Sequence, residues 1–303
     1  MVLINVLSLN VDGIKESPNL DLNLIPFDNP DLYVEFTQED ARPLNTSSLI
    51  RMGNHTQYAV YTINTHRTSQ NIITNIYGKA NLNIEIIDYG SIPIKYKKNA
   101  TFVHGVQRVL SKIPGQSIGY SKGAVYVKLR VKDKYILLVN LHLPVDTKKA
   151  NMGFAYRSSM FLKIVRSLEK IVDKNTCVLF GGDLNFRTDR RGLNQLNSLL
   201  EAINIRLKEL PRPATDKKTF TCKFNSNSNR NCRLTSIEVE DPDNFIELSN
   251  NVQARCGDSK RIPSRCDRFL IDSPYSVEVN RYLSLVLLDS SDHNAIYTSF
   301  RII

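Results

Sequence analysis

Tryptophan is absent from the chain, and cysteine and histidine number only five each among 303 residues. Each scarcity removes a class of explanation. Without tryptophan, no binding site can be walled by an indole. Cys177, Cys222, Cys232, Cys256 and Cys266 are odd in number, fall in the C-terminal half and include no C-x-x-C pair. A disulfide framework is therefore not indicated, and a reducing, cytoplasmic compartment is expected. The opening MVLINVLSLNV has no basic leader and alternates apolar with polar residues, which reads as a strand rather than a secretion signal. Asn45, Asn54 and Asn99 each begin an N-x-[ST] triplet, which carries weight only in a secreted chain. No apolar run is long enough to span a bilayer. Negative charge is also in short supply: thirty acidic residues against forty basic ones leave a formal charge of +10. That balance favours phosphate-bearing partners such as nucleic acids, inositol phosphates or an anionic membrane face.

What the chain does have is 42% hydrophobic residues, enough for a large core, arranged in short runs. Leu3 to Leu9, Tyr58 to Ile63, Ala124 to Val131, Tyr135 to Leu143, Thr176 to Phe180, Arg268 to Ile271 and Ala295 to Phe300 have the length and the β-branched and aromatic content of strands. Phe154, Ser158, Phe161, Val165, Leu168 and Val172 recur at helical spacing, so Asn151 to Val172 is expected to be an amphipathic helix packed on a sheet, with a second helix over Arg191 to Asn204. Polar stretches at Asp12 to Asn23, Lys95 to Gly123 and Asn225 to Asn231 read as surface loops, and none has the composition of a linker. Strands mixed with helices from end to end imply one α/β or α+β layered domain over residues 1–303.

The chemistry-bearing residues cluster at strand ends. Phe180-Gly-Gly-Asp-Leu-Asn-Phe-Arg187 follows a strand directly, and its glycines permit a tight turn that leaves Asp183 and Asn185 beyond the strand end. Asn140 and His142 alternate in Val139-Asn-Leu-His-Leu-Pro144 and so share one face. Asp292 and His293 follow Ser290-Ser291, Asp267 and Arg268 open another strand, Asn10 closes the first, and Gln38-Glu39 follows Pro30-Asp-Leu-Tyr-Val-Glu-Phe36. Taken singly, each of these is more often a turn or a satisfied core residue. Together, carboxylates and amides suit a hard, oxygen-ligated cation such as Mg²⁺ rather than zinc. An Asp-His pair is the usual way to orient an imidazole toward a substrate.

Gly182-Asp-Leu-Asn-Phe-Arg187 resembles the hallmark of the inositol polyphosphate 5-phosphatases of the endonuclease/exonuclease/phosphatase superfamily, and Pro263-Ser-Arg-Cys-Asp-Arg268 resembles their Pro-x-Trp-Cys-Asp-Arg. In the right order, the Pro30 to Glu39 segment is similar to the family's Pro-Asp segment ending in Gln-Glu. Ser121-Lys-Gly-Ala-Val125 is similar to its Asn-Lys-Gly-Gly-Val, Asn140-Leu-His-Leu143 to its Asn-x-His-Leu, and Ser291-Asp-His293 to its Ser-Asp-His. The resemblance implies a DNase I-like, four-layered sandwich of two mixed β-sheets flanked by helices. It implies that Glu39, with Asn10, holds Mg²⁺ and that Asp183 activates the attacking water. Asn185 and His142 would hold the scissile phosphate, and Asp267 would pair with His293, with Asp292 completing the cluster. Lys223 aligns with the lysine of the family's Thr-Tyr-Lys, and Lys260 and Arg261 with its basic pair, which grip a neighbouring ring phosphate. Lys122, Arg187, Arg265 and Arg268 are the remaining cations expected at the substrate.

Three positions depart from the pattern. Arg265 stands where the family has tryptophan, Cys222 where it has tyrosine, and Ser121-Lys-Gly-Ala124 where it has Asn-Lys-Gly-Gly. They bear on substrate shape and affinity, Arg265 by adding positive charge. The expected activity is Mg²⁺-dependent removal of the 5-phosphate from an inositol phosphate or phosphoinositide, by a monomer that can touch an anionic membrane peripherally. Two rivals remain: a nuclease of the same superfamily, which the +10 charge would suit, and a phosphoinositide-binding module without catalysis.

Overall fold

The computed structural model describes residues 1–15, 24–26, 28–42, 58–64, 71–94, 122–144, 150–186, 190–201, 203–214, 216, 221, 224, 265–288 and 290–303. The strands are β1 (Val2–Asn10), β2 (Leu32–Asp40), β3 (Tyr58–Asn64), β4 (Asn71–Lys79), β5 (Ile84–Pro93), β6 (Gly123–Val131), β7 (Lys134–His142), β8 (Thr176–Asp183), β9 (Lys208–Glu209), β10 (Asp267–Asp272), β11 (Val277–Leu285) and β12 (Ala295–Ile302). The helices are α1 (Ala150–Leu168) and α2 (Arg190–Glu201). Two six-stranded mixed sheets result, ordered β11-β12-β1-β2-β4-β3 and β5-β6-β7-β8-β10-β9. In each, one parallel pair sits among antiparallel neighbours: β1 with β2, and β7 with β8. The arrangement is the expected α/β sandwich.

Strand alternation decides what lies between the sheets. Val2, Ile4 and Val6 of β1 and Val34 and Phe36 of β2 meet Val125, Val127 and Leu129 of β6, Ile136 and Leu138 of β7, Leu179 of β8 and Phe269 of β10 in one buried core. Residues of opposite parity, such as Leu137, Val139, Val178 and Phe180, face outward and are covered by Phe161, Val165 and Leu168 of α1 and Leu196 and Leu199 of α2. Each apolar side chain so buried contributes roughly 1.5–3 kcal/mol. On the outer face of the other sheet, among the described residues, the cover is chain rather than helix. There Ile25, Leu287 and Leu288 pack on Leu7, Leu9, Tyr33, Tyr77 and Tyr297.

Among the described residues no helix is long and apolar enough to cross a membrane.

Candidate active site

The parity that fills the inter-sheet core also builds the site. Following Val2, Ile4 and Val6 along β1, the same face presents Ser8 and Asn10 at the rim. On β7 it runs from Ile136 and Leu138 to Asn140 and His142, on β8 from Cys177 and Leu179 to Gly181 and Asp183, and on β10 it begins with Asp267 before Phe269. Register then aligns them. His142 lies opposite Asp183, and Asp183 opposite Asp267, so the three form one row across β7, β8 and β10. Gly182 makes the row possible: its φ is 122°, and a Cβ there would lie 2.2 Å from the Leu141 carbonyl oxygen.

Asp183 is fixed at both oxygens. Its Oδ1 accepts the Asn185 backbone N–H at 3.0 Å, and its Oδ2 accepts from Asn10 Nδ2 at 3.2 Å. His142 Nε2 and His293 Nε2 approach that same Oδ2 at 3.5 and 3.9 Å. His293 is aimed by Asp267, whose Oδ2 is 2.9 Å from Nδ1, while Asp292 Oδ1 stands 3.3 Å from Nε2. Burial pushes the Asp267 carboxyl above its ordinary value, with His293 pulling the other way. Ligand atoms of Asp183, Asp267 and His293 all lie within 4.8 Å of one another, a buried group that could hold a metal ion.

Glu39 stands beside this row on a bulge of β2, in the left-handed region at φ 54°. That conformation is uncommon for a non-glycine residue and is held here by the pairing around it. Its Oε1 lies 3.3 Å from His142 Nε2 and 3.1 Å from Lys122 Nζ. Burial alone would raise the Glu39 carboxyl; His142 and then Lys122 outweigh it and hold the carboxyl below its usual range. Burial, reinforced by Lys122, also pushes His142 down to about 3. With its own value so low, His142 is neutral near pH 7, so of the two groups that lower Glu39 only Lys122 carries a charge there, and it is Lys122 that steadies the carboxylate.

Several expected roles change on contact with the geometry. Asn10 Oδ1 accepts the Asp12 backbone N–H at 3.0 Å, closing a local turn, and its Nδ2 donates to Asp183 Oδ2 at 3.2 Å, so Asn10 also positions that carboxylate. Asn185 donates Nδ2 to the Leu143 carbonyl at 2.8 Å. Its Oδ1 is buried with no hydrogen-bond partner. Arg265 and Arg268, expected at the substrate, are buried instead. Arg265 pairs with Glu209, and Arg268 reaches Glu209 at 3.7 Å and the Arg265 carbonyl at 3.1 Å. Alternation along β10 accounts for Arg268, whose side chain leaves the opposite face from Asp267. Arg187, Lys223, Lys260 and Arg261 lie outside the described residues, as do Ser121 and Cys222.

Other site residues carried no role in the motif reading. Ser291 Oγ donates to the Asn10 carbonyl at 2.7 Å and accepts the His293 N–H at 3.0 Å, tying the end of β1 to the histidine. Thr221 Oγ1 accepts the Asp267 N–H at 3.0 Å. Gln38 donates to Asn140 Oδ1 at 2.7 Å, and Asn140 donates to the carbonyls of Thr37 and Ile73, which bonds the two sheets together beneath the site. The adjacency of Gln38 to Glu39 and of Asn140 to His142 was the available signal. Arg157 of α1, with Nε 3.1 Å from the Pro144 carbonyl and its guanidinium over the Phe186 ring, had none.

The family described as Endonuclease/Exonuclease/phosphatase family 2 matches residues 7–299 of the chain. No curated protein matches it in sequence. Among solved structures, the inositol polyphosphate 5-phosphatase domain of SPsynaptojanin, in complex with inositol (1,4)-bisphosphate and calcium ion, is 18% identical with a TM-score of 0.54, covering 99% of this chain and 85% of that one. TDP2 of D. rerio complexed with a single-strand DNA product is 13% identical with a TM-score of 0.54, covering 99% of each chain. A Cimex nitrophorin in its ferrous NO complex also aligns, 14% identical with a TM-score of 0.54 over 99% of this chain and 98% of that one. Likenesses so distant establish the shared fold and leave function to the residues at the rim.

Proposed function

Because the chain belongs to endonuclease/exonuclease/phosphatase family 2, whose superfamily consists of phosphoesterase hydrolases, we propose that it is a Mg²⁺-dependent phosphatase that removes the 5-phosphate from an inositol phosphate or phosphoinositide. The observation that carries this reading is the row His142, Asp183 and Asp267 with His293 locked onto Asp267 at 2.9 Å. The motifs that supply these residues are those that resemble the 5-phosphatases.

Each residue then has a task set by its surroundings. Asp183, with both oxygens held by Asn10 and Asn185, accepts the proton of the attacking water without swinging away from it. Neutral His142 and the Asn185 side chain hold the phosphoryl group in line. His293 keeps its ring orientation through Asp267 and, when charged, offers Nε2–H to the oxygens on which negative charge builds. The residues present fit a hard divalent cation: Glu39 Oε1 and Asp183 Oδ2 flank the same His142 Nε2, at 3.3 and 3.5 Å, and Asn185 Oδ1 and Asp267 Oδ1 are buried acceptors lacking a hydrogen-bond partner. Glu39, with Asn10 nearby, would hold it, with Mg²⁺ the natural ion for oxygen ligands. Such an ion supplies Lewis-acid neutralisation of the phosphoryl oxygens.

A nuclease reading is favoured by one observation, the +10 charge. One panel separates the readings. Phosphate release is measured from inositol phosphates, phosphoinositides and oligonucleotides, with and without Mg²⁺. Release from inositol substrates alone, lost in EDTA, is the expected outcome. Oligonucleotide cleavage at comparable rates would promote the nuclease, and no turnover of anything would leave a binding module.

A further inference from the structure

Lys122 was expected among the substrate cations, yet its ammonium is turned inward. Gly123 behind it has φ 144°, and a Cβ there would lie 2.3 Å from the Ile92 carbonyl oxygen, so the backbone enters β6 by a path only glycine follows easily. The Ile94 N–H donates to the Lys122 carbonyl at 3.0 Å and fixes the same turn. From that anchor Nζ reaches Glu39 Oε1 at 3.1 Å and His142 Nδ1 at 3.4 Å, with Nε2 closer still. The side chain is only 11% exposed. A lysine free to greet a substrate would lie in solvent; this one spends its charge on Glu39.

Glu39 is also the carboxylate proposed to hold the divalent cation, and the two uses conflict. A Mg²⁺ bound to a carboxylate oxygen sits about 2.0–2.1 Å from it. An ammonium hydrogen-bonded to the same Oε1 would then lie roughly 4 Å or so from the metal, where like charges repel strongly in a partly buried site. The two therefore compete for Oε1. We propose that Lys122 is the resident counter-ion of Glu39, that it yields Oε1 when the metal binds, and that its released ammonium then takes a phosphate oxygen of the substrate. The inference rests on the reading of Glu39 as a metal ligand. It makes the order of events a property of the fold: Lys122 becomes available to substrate only once the cation is in place.

This exchange has a signature that a purely structural lysine would not give, namely opposite effects on metal and substrate. Removing Lys122 removes the metal's competitor, so Mg²⁺ titrated calorimetrically into substrate-free K122M should bind with a Kd about tenfold lower than in the full-length wild type, the scale set by one charge-assisted hydrogen bond. At saturating Mg²⁺, kcat/KM of the same variant should fall about tenfold or more. The rise in Tm produced by Mg²⁺ should be larger in K122M than in wild type. K122Q, which keeps the length but not the charge, should repeat all three results if K122M folds poorly. E39Q separates the two layers of the argument. Unchanged Mg²⁺ affinity in E39Q would overturn the metal reading and the exchange with it. Loss of Mg²⁺ binding in E39Q together with unchanged or weaker binding in K122M and K122Q would overturn the exchange alone.

Discussion

Asp183 has no freedom to be anything but a carboxylate aimed into the site, since Asn10 and the Asn185 N–H hold its two oxygens. Asp183→Asn is therefore expected to lower kcat by about a hundredfold or more with little loss of stability, as for a group that acts by moving a proton in the transition state. His293→Ala should do likewise, and near-normal turnover in either purified variant would remove that residue from the mechanism. His142 supplies a different measurement because its folded pKa, about 3, lies below the ordinary 6.5. Between those values the unfolded chain binds a proton that the native metal-free protein refuses, so stability rises with pH across the window and is lost as the pH falls. Asp267, raised by burial, slopes the other way just above its ordinary 3.8. The difference between wild type and His142→Gln isolates the histidine. In denaturant melts from pH 6.5 down to 4, wild type should lose up to about 1.4 kcal/mol per pH unit more than the variant. Equal slopes would mean that His142 is not buried in neutral form.

At the scale of elements, the site depends on how closely β7 and β8 approach at the rim and on what braces the loops beyond them. Leu143 N–H donates to the Asp183 carbonyl, Asn185 reaches back to the Leu143 carbonyl, and Arg157 of α1 binds the Pro144 carbonyl while covering Phe186. Helix α1 thus clamps both catalytic loops from outside without touching a reacting group. Arg157→Ala should lower kcat by roughly tenfold with Mg²⁺ affinity nearly unchanged, and Arg157→Lys should recover only part, because a guanidinium both donates and stacks. A parallel fall in metal affinity would show general loosening instead. Gly182→Ala should cost several kcal/mol or prevent folding, given a positive φ and a Cβ 2.2 Å from a carbonyl oxygen. These elements were unevenly legible. β1, β3, β6, β7, β8, β10 and β12 stood out as short runs rich in apolar, β-branched and aromatic residues, and both helices fell close to their periodic stretches. β4 did not, since its Asn71, Thr74, Asn75 and Gly78 read as turn residues until Glu35 of β2 is seen to accept from Asn75. Nor did β5, an edge strand whose alternate residues face solvent, or β11, which carries Glu278, Asn280 and Arg281. The site was legible where a motif names adjacent residues and illegible where tertiary packing assigns the role, as with Lys122 turned onto Glu39 and Arg265 onto Glu209.

Across the whole molecule, charge is the property most closely tied to the substrate. The chain's +10 is not evenly spread: residues 95–121 carry Lys95, Lys97, Lys98, Arg108 and Lys112 and no acidic residue. The described ends of that segment meet beside the site, where Ile94 bonds Lys122 and Gly123 lies opposite His142. A multiply phosphorylated substrate gains from the chain's net +10, an attraction screened over the Debye length of about 8–10 Å at ordinary ionic strength, so kcat/KM should fall as salt rises while kcat changes little. That salt dependence alone does not choose between an inositol phosphate and a nucleic acid, because both are anions. Lys223 does. If it grips the ring phosphate next to the scissile one, Lys223→Ala should weaken turnover of a 4,5-bisphosphate by about tenfold relative to a substrate lacking the 4-phosphate, the scale of one charge-assisted contact. A nuclease would instead lose affinity for all oligonucleotides alike, with a shallower salt slope for each phosphate contact removed. Equal loss on both inositol substrates would take Lys223 out of the specificity pocket and leave the adjacent-phosphate preference to Lys260 and Arg261, to be tested the same way.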